Sequence, residues 1–536
     1  MKYTYIIIIS GFILLGLGAC KKNLESINID PNHPTKVEPD FLLTSSIYNS
    51  LNLLGGDMNR VVFFNYTQFF SGFQGEFERY TYNDASNNTY WSNLYIKCLQ
   101  PVNQIDLNYR TDPAYRNRVL IARIWKDYLF SDAVAIWGGL PTDKALNGAP
   151  SVSYTKEQDV YTNLLSDLKN LADSINTSGD KYSANADKIY GGDLLKWKKF
   201  ANTLRLRLAI RISNDAPNGD PVLAKKVIQE IALDEQNTIT SQAETAAATW
   251  GTTSDSWSYL YNYIVYGYTA NKATIPVLCE SLVYYTVPYG DPRITIYGQP
   301  AKQGPQIGKY FGQNIAYGGG SAYAQGVVSP HIGLKQDDYS YVGARFLKPD
   351  AEYVFISYAE SCMLKAEAAL KGWWSTASTA QTYYYQGIGA SFDRYGLTPA
   401  QASAYENTPG IKWGTASDTT GRKVQFQDWM GICSSYVSAG DTYRQIIMQH
   451  WLAIPNQGID AWTLIRRTRQ LDFEPQFATY DGNYAYVPQR LLYPASEYST
   501  NGAEVTKAAT WLGGPDNLFT KLWFALPNKK NASLPY

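Results

Sequence analysis

Apolar side chains recur every three or four residues along most of this 536-residue chain. Between Asp193 and Ile212, for example, Trp197, Leu204 and Leu208 fall on one stripe of a helix. Residues at this spacing share one helical face, so each such run predicts an amphipathic helix. The predicted helices cover residues 41–70, 91–107, 115–137, 156–175, 193–212, 221–233, 352–372, 376–395 and 441–454. The chain is therefore expected to be mostly all-α.

The two helices predicted at 352–372 and 376–395 have features of a tetratricopeptide-like pair. The second carries Ala380, Tyr384 and Gly387, which are small, aromatic and small at spacings of four and three. Close crossing of two helices needs small residues beside a bulky one. We expect a superhelix of tetratricopeptide-like helix pairs, with this pair at about 352–395.

Helical periodicity fades between Gln242 and Ala351, where Gly, Tyr, Ser and Pro dominate. An irregular stretch of this length inside a compact protein is usually functional or disordered. The dense aromatic side chains argue against disorder. We therefore expect a large loop-rich insert, at about 242–351, that carries function.

The first twenty residues resemble an export signal followed by a lipidation site. Lys2 precedes an apolar run from Ile6 to Leu17, which is too short to cross a bilayer as a helix. The small residues before Cys20 resemble a bacterial lipobox, in which the cysteine is lipidated and becomes the mature N-terminus. We expect a signal peptide at 1–19, a lipid-anchored spacer at 20–40 and a single body at 41–536. An apolar leader with a chance cysteine is the alternative.

Composition excludes several classes of function. The chain has 47 basic and 47 acidic side chains, so it lacks the basic surplus of a nucleic-acid-binding protein. The cysteines after Cys20 are far apart and the three histidines have no metal-ligand spacing, so neither a metal site nor a cofactor is expected. Cys362, on an apparent core-facing helix, is expected to be a small buried residue.

No catalytic motif is present. The sequence lacks a G-x-S-x-G elbow, a phosphate-binding loop and a dinucleotide-binding glycine pattern. The sequence leaves open the alternative of a catalytic pair of carboxylates for glycoside cleavage, because such a pair is recognised by the distance between the two groups in the folded protein. The sequence favours a binding protein over an enzyme.

Two basic groups have a binding and a structural interpretation. Lys198, Lys199, Arg205 and Arg211 lie opposite the apolar stripe of the helix at 193–212, and a solvated face is the favoured interpretation. The cluster at 466–469 contains three arginines that either clamp an anion or form internal salt bridges. For the arginine cluster the structural role is favoured.

Aromatic side chains are unusually frequent, with 44 Tyr, 14 Trp and 19 Phe. Tyrosine and tryptophan join a flat apolar face to a polar group, which suits sugar rings and peptide backbones. Most are expected to pack between helices, and a minority in the loops to contact ligand. The candidate ligand-binding residues are Tyr82, Trp91, Trp257, Tyr259, Tyr261 and Tyr323.

Several longer segments together resemble the SusD/RagB family of outer-membrane nutrient-binding lipoproteins. The resemblance begins at the lipobox and covers nearly the whole chain. It is clearest in Trp451–Thr468, which contains Gln-Gly-Ile-Asp-Ala-Trp and Arg-Arg-Thr. The other matching segments are Ile27–Thr35, Tyr358–Gly372, Tyr385–Ser391 and Arg490–Tyr498.

This resemblance implies a helical superhelix whose loop-rich segment carries the ligand surface. It also implies a non-catalytic lid, anchored at the outer membrane and facing the cell exterior, on a TonB-dependent (SusC-like) transport barrel. The lid captures an oligosaccharide or a peptide and delivers it to the barrel. The shared motifs are mainly structural and assign no ligand residues. The alternatives are a surface-anchored glycan or peptide hydrolase and a purely structural transporter subunit.

Overall fold

The computed structural model describes residues 36–72, 83–149, 151–267, 275–313, 334–375, 378–418, 437–471, 476–478, 483–485 and 487–527. Most of these residues are helical, as the periodicity predicts. The α-helices are α1 Pro39–Leu54, α2 Phe64–Thr67, α3 Asp84–Asn93, α4 Gln100–Tyr109, α5 Arg116–Trp137, α6 Glu157–Ser174, α7 Leu194–Arg211, α8 Pro221–Ala232, α9 Glu280–Thr286, α10 Ile294–Tyr297, α11 Tyr358–Leu370, α12 Ala380–Arg394, α13 Pro399–Glu406, α14 Thr442–Ala453, α15 Gly458–Thr468, α16 Ala495–Thr500 and α17 Gly502–Ala509.

Within the described residues, three π-helical segments interrupt this pattern, at Asn59–Phe63, Leu94–Leu99 and Tyr261–Tyr266. The strands are short: β1 Phe70–Ser71, β2 Ala246–Thr249, β3 Val277–Leu278, β4 Glu352–Ile356, β5 Gln476–Ala478 and β6 Asn483–Ala485. They pair antiparallel as β1–β3, β2–β4 and β5–β6. Within the described ranges, every helix is too short or too polar to cross a membrane.

Side-chain caps explain where several helices begin. The carboxylate of Asp193 accepts a hydrogen bond from the backbone N–H of Lys196, and Asp441 accepts one from Arg444 in the same way. Each bond satisfies a backbone donor that the first turn of a helix leaves without a partner. The predicted starts of α7 and α14 are therefore confirmed.

Consecutive helices pack against one another, and α11 with α12 is the most extensive pair. Gly387 makes that contact possible, because a Cβ there would lie 2.5 Å from Cε of Met363. The requirement for a small residue at this crossing is confirmed. Cys362 is buried in the same contact, as predicted. The largest fully buried side chains include Trp125, Trp137, Trp197, Trp451 and Trp462.

The insert leaves and re-enters the body through one pair of strands. Thr249 of β2 lies opposite Glu352 of β4, so residues 250–351 extend from a closed seam. A second pair, β1 with β3, places Phe70 opposite Leu278 and ties the insert to the N-terminal region. These two sheets bring the start of the insert beside the segment that follows α1.

Three predicted helices have different boundaries in the structure, and the one predicted at 91–107 already begins at Asp84, the first residue of α3. Residues 352–356 form strand β4, and α11 begins only after Ser357, whose hydroxyl caps it by accepting from the N–H of Glu360. Tyr353 and Phe355 are both buried, and burial of every second residue is typical of a strand. The apolar residues of this strand run directly into the apolar stripe of the helix that follows, so the sequence pattern places the helix start too early. The helix predicted at 41–70 ends at Leu54, because Gly55 and Gly56 interrupt it before the π-helical segment.

The solvated basic face predicted on the helix at 193–212 is wrong. Lys199, Arg205 and Arg211 are buried, and Lys198 is partly buried. Their partners are acidic groups on other segments: Lys199 pairs with Glu244, Arg205 with Glu230 and Arg211 with Asp460. The spacing of polar and apolar residues along one helix carries no information about these partners, which lie on other segments.

The structural role predicted for the arginine cluster is confirmed. Arg466 donates to the backbone carbonyls of Gln489 and Ala135 at 2.6 and 2.7 Å, and its guanidinium lies 3.5 Å from the ring centre of Trp462. Arg467 makes a bidentate pair with Glu367 at 2.6 and 2.7 Å. Both arginines are buried, so neither is open to an external anion.

Removing one partner of the buried pair should be costly. Burial alone raises the pKa of the Glu367 carboxyl, but Arg467 outweighs it and holds the pKa below its usual value. We expect Glu367→Ala to lower the free energy of unfolding by about 3–5 kcal/mol, because Arg467 is left charged and buried. Lys169→Ala breaks an exposed pair with Asp173 and should cost less than about 0.5 kcal/mol. Chemical denaturation measures both, and equal losses would contradict the prediction.

A second prediction concerns the stability of the core in acid. Burial and the nearby charge of Arg467 lower the pKa of His450 to about 3, whereas the unfolded side chain titrates at about 6.5. Below that pH the unfolded chain binds a proton that the folded chain does not, so stability falls as pH falls. We expect the wild type to lose up to about 1.4 kcal/mol per pH unit more than His450→Gln between about pH 6 and pH 4. Denaturation at several pH values tests this, and parallel profiles would contradict it.

Candidate functional site

Five aromatic side chains form a ring cluster at the start of the insert: Trp257, Tyr259, Tyr261, Tyr263 and Tyr266. Trp257 contacts Tyr261 edge to face, with ring centres 5.0 Å apart, and Tyr266 at 5.4 Å. Tyr259 stacks on Tyr263, with centres 5.6 Å apart and planes within 8°. The π-helical turn Tyr261–Tyr266 carries three of the five rings.

The cluster keeps part of its aromatic surface in contact with solvent. Tyr263 is 41% exposed and Tyr266 is 56% exposed, whereas Tyr259 is partly buried. Tyr263 contacts Tyr259, and Tyr266 contacts Trp257, so each exposed ring is held by a neighbouring ring and needs little ordering to bind a ligand. This arrangement suits the apolar face of a sugar ring or another flat ligand.

An ion pair after α1 fixes the stacked tyrosines. The hydroxyl of Tyr259 donates to Oδ1 of Asp57 at 2.7 Å, and Nη2 of Arg60 donates to the same oxygen at 3.0 Å. The Arg60 guanidinium also lies over the ring of Tyr263, 4.1 Å from its centre. Burial, followed by the bond to Asp57, raises the pKa of Tyr259, which therefore stays a neutral donor.

The insert is also held against the end of α1 by Trp250. Its indole N–H donates to Oδ1 of Asn52 at 2.9 Å. A Cβ at position 55 would lie 2.5 Å from Cη2 of Trp250, so only a glycine leaves room for this ring at the end of the helix. The indole N–H of Trp257 donates to the carbonyl of Thr252 at 3.0 Å and orients the first ring of the cluster.

A groove of about 440 Å³ adjoins the ring cluster and shares Tyr259 with it. The groove runs between α1 and α3, and amide, hydroxyl and charged side chains line much of it. These polar lining residues are Asn49, Asn52, Asp57, Ser86, Thr89, Asn93 and Lys97. Such groups both donate and accept hydrogen bonds, which fits a ligand rich in hydroxyl groups.

The chemistry of the groove gives no positive sign of catalysis. Among the described residues that line it, Asp57 is the one carboxylate, and it is already paired with Arg60. Glycoside cleavage ordinarily uses two carboxylates on opposite sides of the bond. Across the described part of the chain there is also no cluster of His, Cys, Asp or Glu that could hold a metal ion.

Comparison with known proteins identifies the family. Residues 31–494 match a family model described as SusD-like, starch-binding and associating with the outer membrane. The chain belongs to the SusD-like family. The resemblance stated from the sequence is therefore confirmed, and so is the mostly helical fold class. No curated protein matches this SusD-like chain.

Solved structures of SusD-like proteins have the same fold. A chitin-binding protein is 25% identical with a TM-score of 0.71, over 91% of this chain and 100% of its own. A chitin-binding SusD homologue from Flavobacterium johnsoniae is 23% identical with a TM-score of 0.73, over 90% and 98% of the two chains. A SusD homologue from Parabacteroides distasonis is 22% identical with a TM-score of 0.75, over 93% and 100%.

The candidate residues named from the sequence of this SusD-like chain lie in different places. Trp257, Tyr259 and Tyr261 come together in the ring cluster. Trp91 lies on α3, is only 6% exposed and borders a separate recess. Tyr82, Tyr323 and the lipidation candidate Cys20 lie outside the described residues.

Four residues that belong to this site are not among the candidates named from the sequence. Tyr263 and Tyr266 extend the ring cluster, and Asp57 with Arg60 holds it. A spacing of four between Tyr259 and Tyr263 was available as a signal, because it is the spacing of stacked neighbours on a helix. The role of Asp57 and Arg60 depends on a contact about 200 residues away in sequence and had no local signal.

The two stacked tyrosines offer a matched test of this geometry. We expect Tyr259→Phe to lower the free energy of unfolding by about 1 kcal/mol, because the half-exposed Asp57 loses a hydrogen bond. Tyr263→Phe should leave stability nearly unchanged, since the ring stays and its exposed hydroxyl makes no bond within the described structure. Chemical denaturation of both variants measures the difference, and the reverse order would contradict the arrangement.

Proposed function

We propose that this SusD-like protein captures a glycan at the surface of the outer membrane, using the ring cluster and the adjoining groove. The observation that carries the proposal is the position of two exposed rings, each held by a neighbouring ring, beside a groove lined with polar side chains on a SusD-like scaffold. Rings take the apolar faces of sugar units, and the groove supplies hydrogen bonds to their hydroxyl groups.

Two further observations favour a glycan over a peptide as the ligand. The family is described as starch-binding, and two proteins of similar structure are described as chitin-binding. None of the described residues that line the groove belongs to a β-strand, so the lining offers no strand edge to which a peptide backbone could add. Amide and hydroxyl side chains instead surround the groove, as sugar hydroxyls require.

The expected affinity suits capture followed by release. Each ring contact contributes roughly 1 kcal/mol beyond simple burial, and a few such contacts with hydrogen bonds give micromolar to millimolar dissociation constants. A ligand bound this weakly leaves quickly enough to be passed on. We infer that it passes unbroken to a TonB-dependent (SusC-like) transporter that this protein covers.

The proposal includes a lipid anchor. Export by the signal at 1–19 and acylation of Cys20 leave the spacer at 20–40 between the membrane and the body that begins at α1, with the body facing the cell exterior. Several acyl chains on one cysteine hold a protein durably at a bilayer. Mass spectrometry of the mature N-terminus tests this part by itself, and an unmodified Cys20 would contradict it.

Substitution in the ring cluster tests the binding surface. We expect Trp257→Ala and Tyr263→Ala each to weaken binding of maltohexaose or N-acetylated chitohexaose about fivefold, which corresponds to roughly 1 kcal/mol. Isothermal titration calorimetry measures the change. Trp373→Ala serves as the control, because Trp373 is a partly exposed ring beyond α11 that contacts neither the cluster nor the groove.

Three results would contradict the proposed function. Affinity for both glycans that is unchanged in the Trp257→Ala, Tyr263→Ala double variant would place binding elsewhere. Shortened products in a glycan incubation with the purified protein would indicate an enzyme. Absence of any glycan binding, together with tight co-purification with a transporter, would leave a structural subunit.

A further inference from the structure

A second recess lies on the other side of α3 from the groove. It encloses about 710 Å³ between α3, the following π-helical segment and α16. Thr89 and Asn93 line both the recess and the groove, so the two cavities adjoin across the same helix. The backbone N–H of Ser496 donates to Oδ1 of Asn88 at 3.0 Å and joins α16 to α3 at the border of the recess.

Glu497 places a carboxylate in this recess that forms no ion pair with any described residue. Its Oε1 accepts from the indole N–H of Trp91 at 3.2 Å, and its Oε2 accepts from the hydroxyl of Tyr154 at 2.8 Å. Both donors are neutral. Among the described residues that line the recess, Glu497 carries the one formal charge, whereas the buried Glu360 and Glu367 each pair with an arginine.

The neighbouring tyrosines experience that charge. Burial, followed by Glu497, raises the pKa of both Tyr95 and Tyr154. Tyr154 therefore stays a neutral donor to the Glu497 carboxylate. A carboxylate held by neutral donors attracts a cation entering from solvent, and none of the described residues that line the recess is a competing lysine or arginine.

The walls of the recess match a sugar as well as a cation. Trp91 and Tyr95 lie with ring centres 4.9 Å apart, and an aromatic wall favours both a sugar face and a positive charge. Seven neutral hydrogen-bonding side chains surround them: Asn88, Thr89, Ser92, Asn93, Ser496, Thr500 and Asn501. A lysine side chain offers one ammonium group and an apolar stem, and would use few of these groups.

We propose that the recess is a second subsite that binds a protonated amino sugar. In this arrangement the ammonium group of a hexosamine unit pairs with Glu497, and its hydroxyl groups bond to the surrounding amides and hydroxyls. The rest of the glycan crosses α3 at Thr89 and Asn93 and reaches the groove and the ring cluster. This inference rests on the proposed function and adds a preference for amine-bearing glycans.

Two hexasaccharides with the same β-1,4-linked backbone test the preference. The hexamer of glucosamine has an amine at C2, whereas cellohexaose has a hydroxyl group there. We expect the wild type to bind the glucosamine hexamer at least tenfold more tightly at pH 6, and Glu497→Gln to reduce this ratio to near one by weakening binding of the glucosamine hexamer far more than that of cellohexaose. Calorimetry measures all four affinities.

Tyr154→Phe is the matched control. It removes one hydrogen bond to Glu497 but keeps the charge, so the preference for the amine should persist. A role of Glu497 that is only structural, holding α16 to α3, predicts instead that both variants lower the melting temperature and leave the ratio of affinities unchanged.

The outcomes separate this inference from the proposed function. Equal affinities in the wild type, or a preference that survives Glu497→Gln, overturn the subsite, and the proposed function stands if Trp257→Ala still weakens glycan binding. Displacement of the glucosamine hexamer by trilysine at equal concentration overturns the assignment to a sugar. The Trp257→Ala, Tyr263→Ala double variant gives a further outcome. If its glycan affinity is undiminished and its preference for the amine still depends on Glu497, the subsite is supported and the role of the ring cluster is contradicted. Failure of every glycan to bind contradicts both.

Discussion

A buried group of charges joins three helices that are far apart in sequence. Arg207 of α7 pairs with Glu360 of α11 at 2.6 Å and with Asp460 of α15 at 3.1 Å, and Arg211 reaches the same aspartate at 3.3 Å. Arg207 also donates to the carbonyl of Phe355 in β4. Apolar contacts tolerate some sliding, but desolvated charges are stable only with their partners in place. This group therefore fixes the register of the helices on both sides of the insert and, through β4, the seam from which the insert extends.

The sequence predicts the helical part of the fold well. A helix that buries one face has apolar residues every three or four positions, and this spacing is recognisable within a short segment. The starts of α7 and α14 follow from Asp193 and Asp441, whose capping role needs only the next three residues. The failures have a common cause. The basic side chains on α7 look solvated until their distant partners are known, and β4 resembles the beginning of α11 because Phe355 fits either period. A binding surface assembled from separate segments is likewise only partly predictable from the amino-acid sequence.

The candidate site illustrates that limit. The composition of the run from Trp257 to Tyr261 indicates exposed rings. The role of Asp57 and Arg60 in holding the tyrosines arises only in the folded chain, where β1 pairs with β3. All three described π-helical segments border the same region. One carries Arg60, one carries Tyr95 and one carries three rings of the cluster. Such segments widen a helical turn and occur often at functional sites, where they redirect side chains that an α-helix would space evenly.

The seam between β2 and β4 has a consequence for how proteins of this shape diversify. Residues 250–351 follow Thr249 and precede Glu352, and these two residues are paired across the sheet. The segment is therefore connected to the rest of the fold as a hairpin loop is. Surface loops accept insertion and replacement at low cost to the remaining chain, but much of this segment is buried. Arg293 and Tyr297 are fully buried and donate to the side chain of Gln449 and to the carbonyl of Leu452 in α14. The exposed stretch that carries Tyr263 and Tyr266 is therefore the part that evolution or an engineer can alter while the buried part of the insert and the helical frame keep their shape.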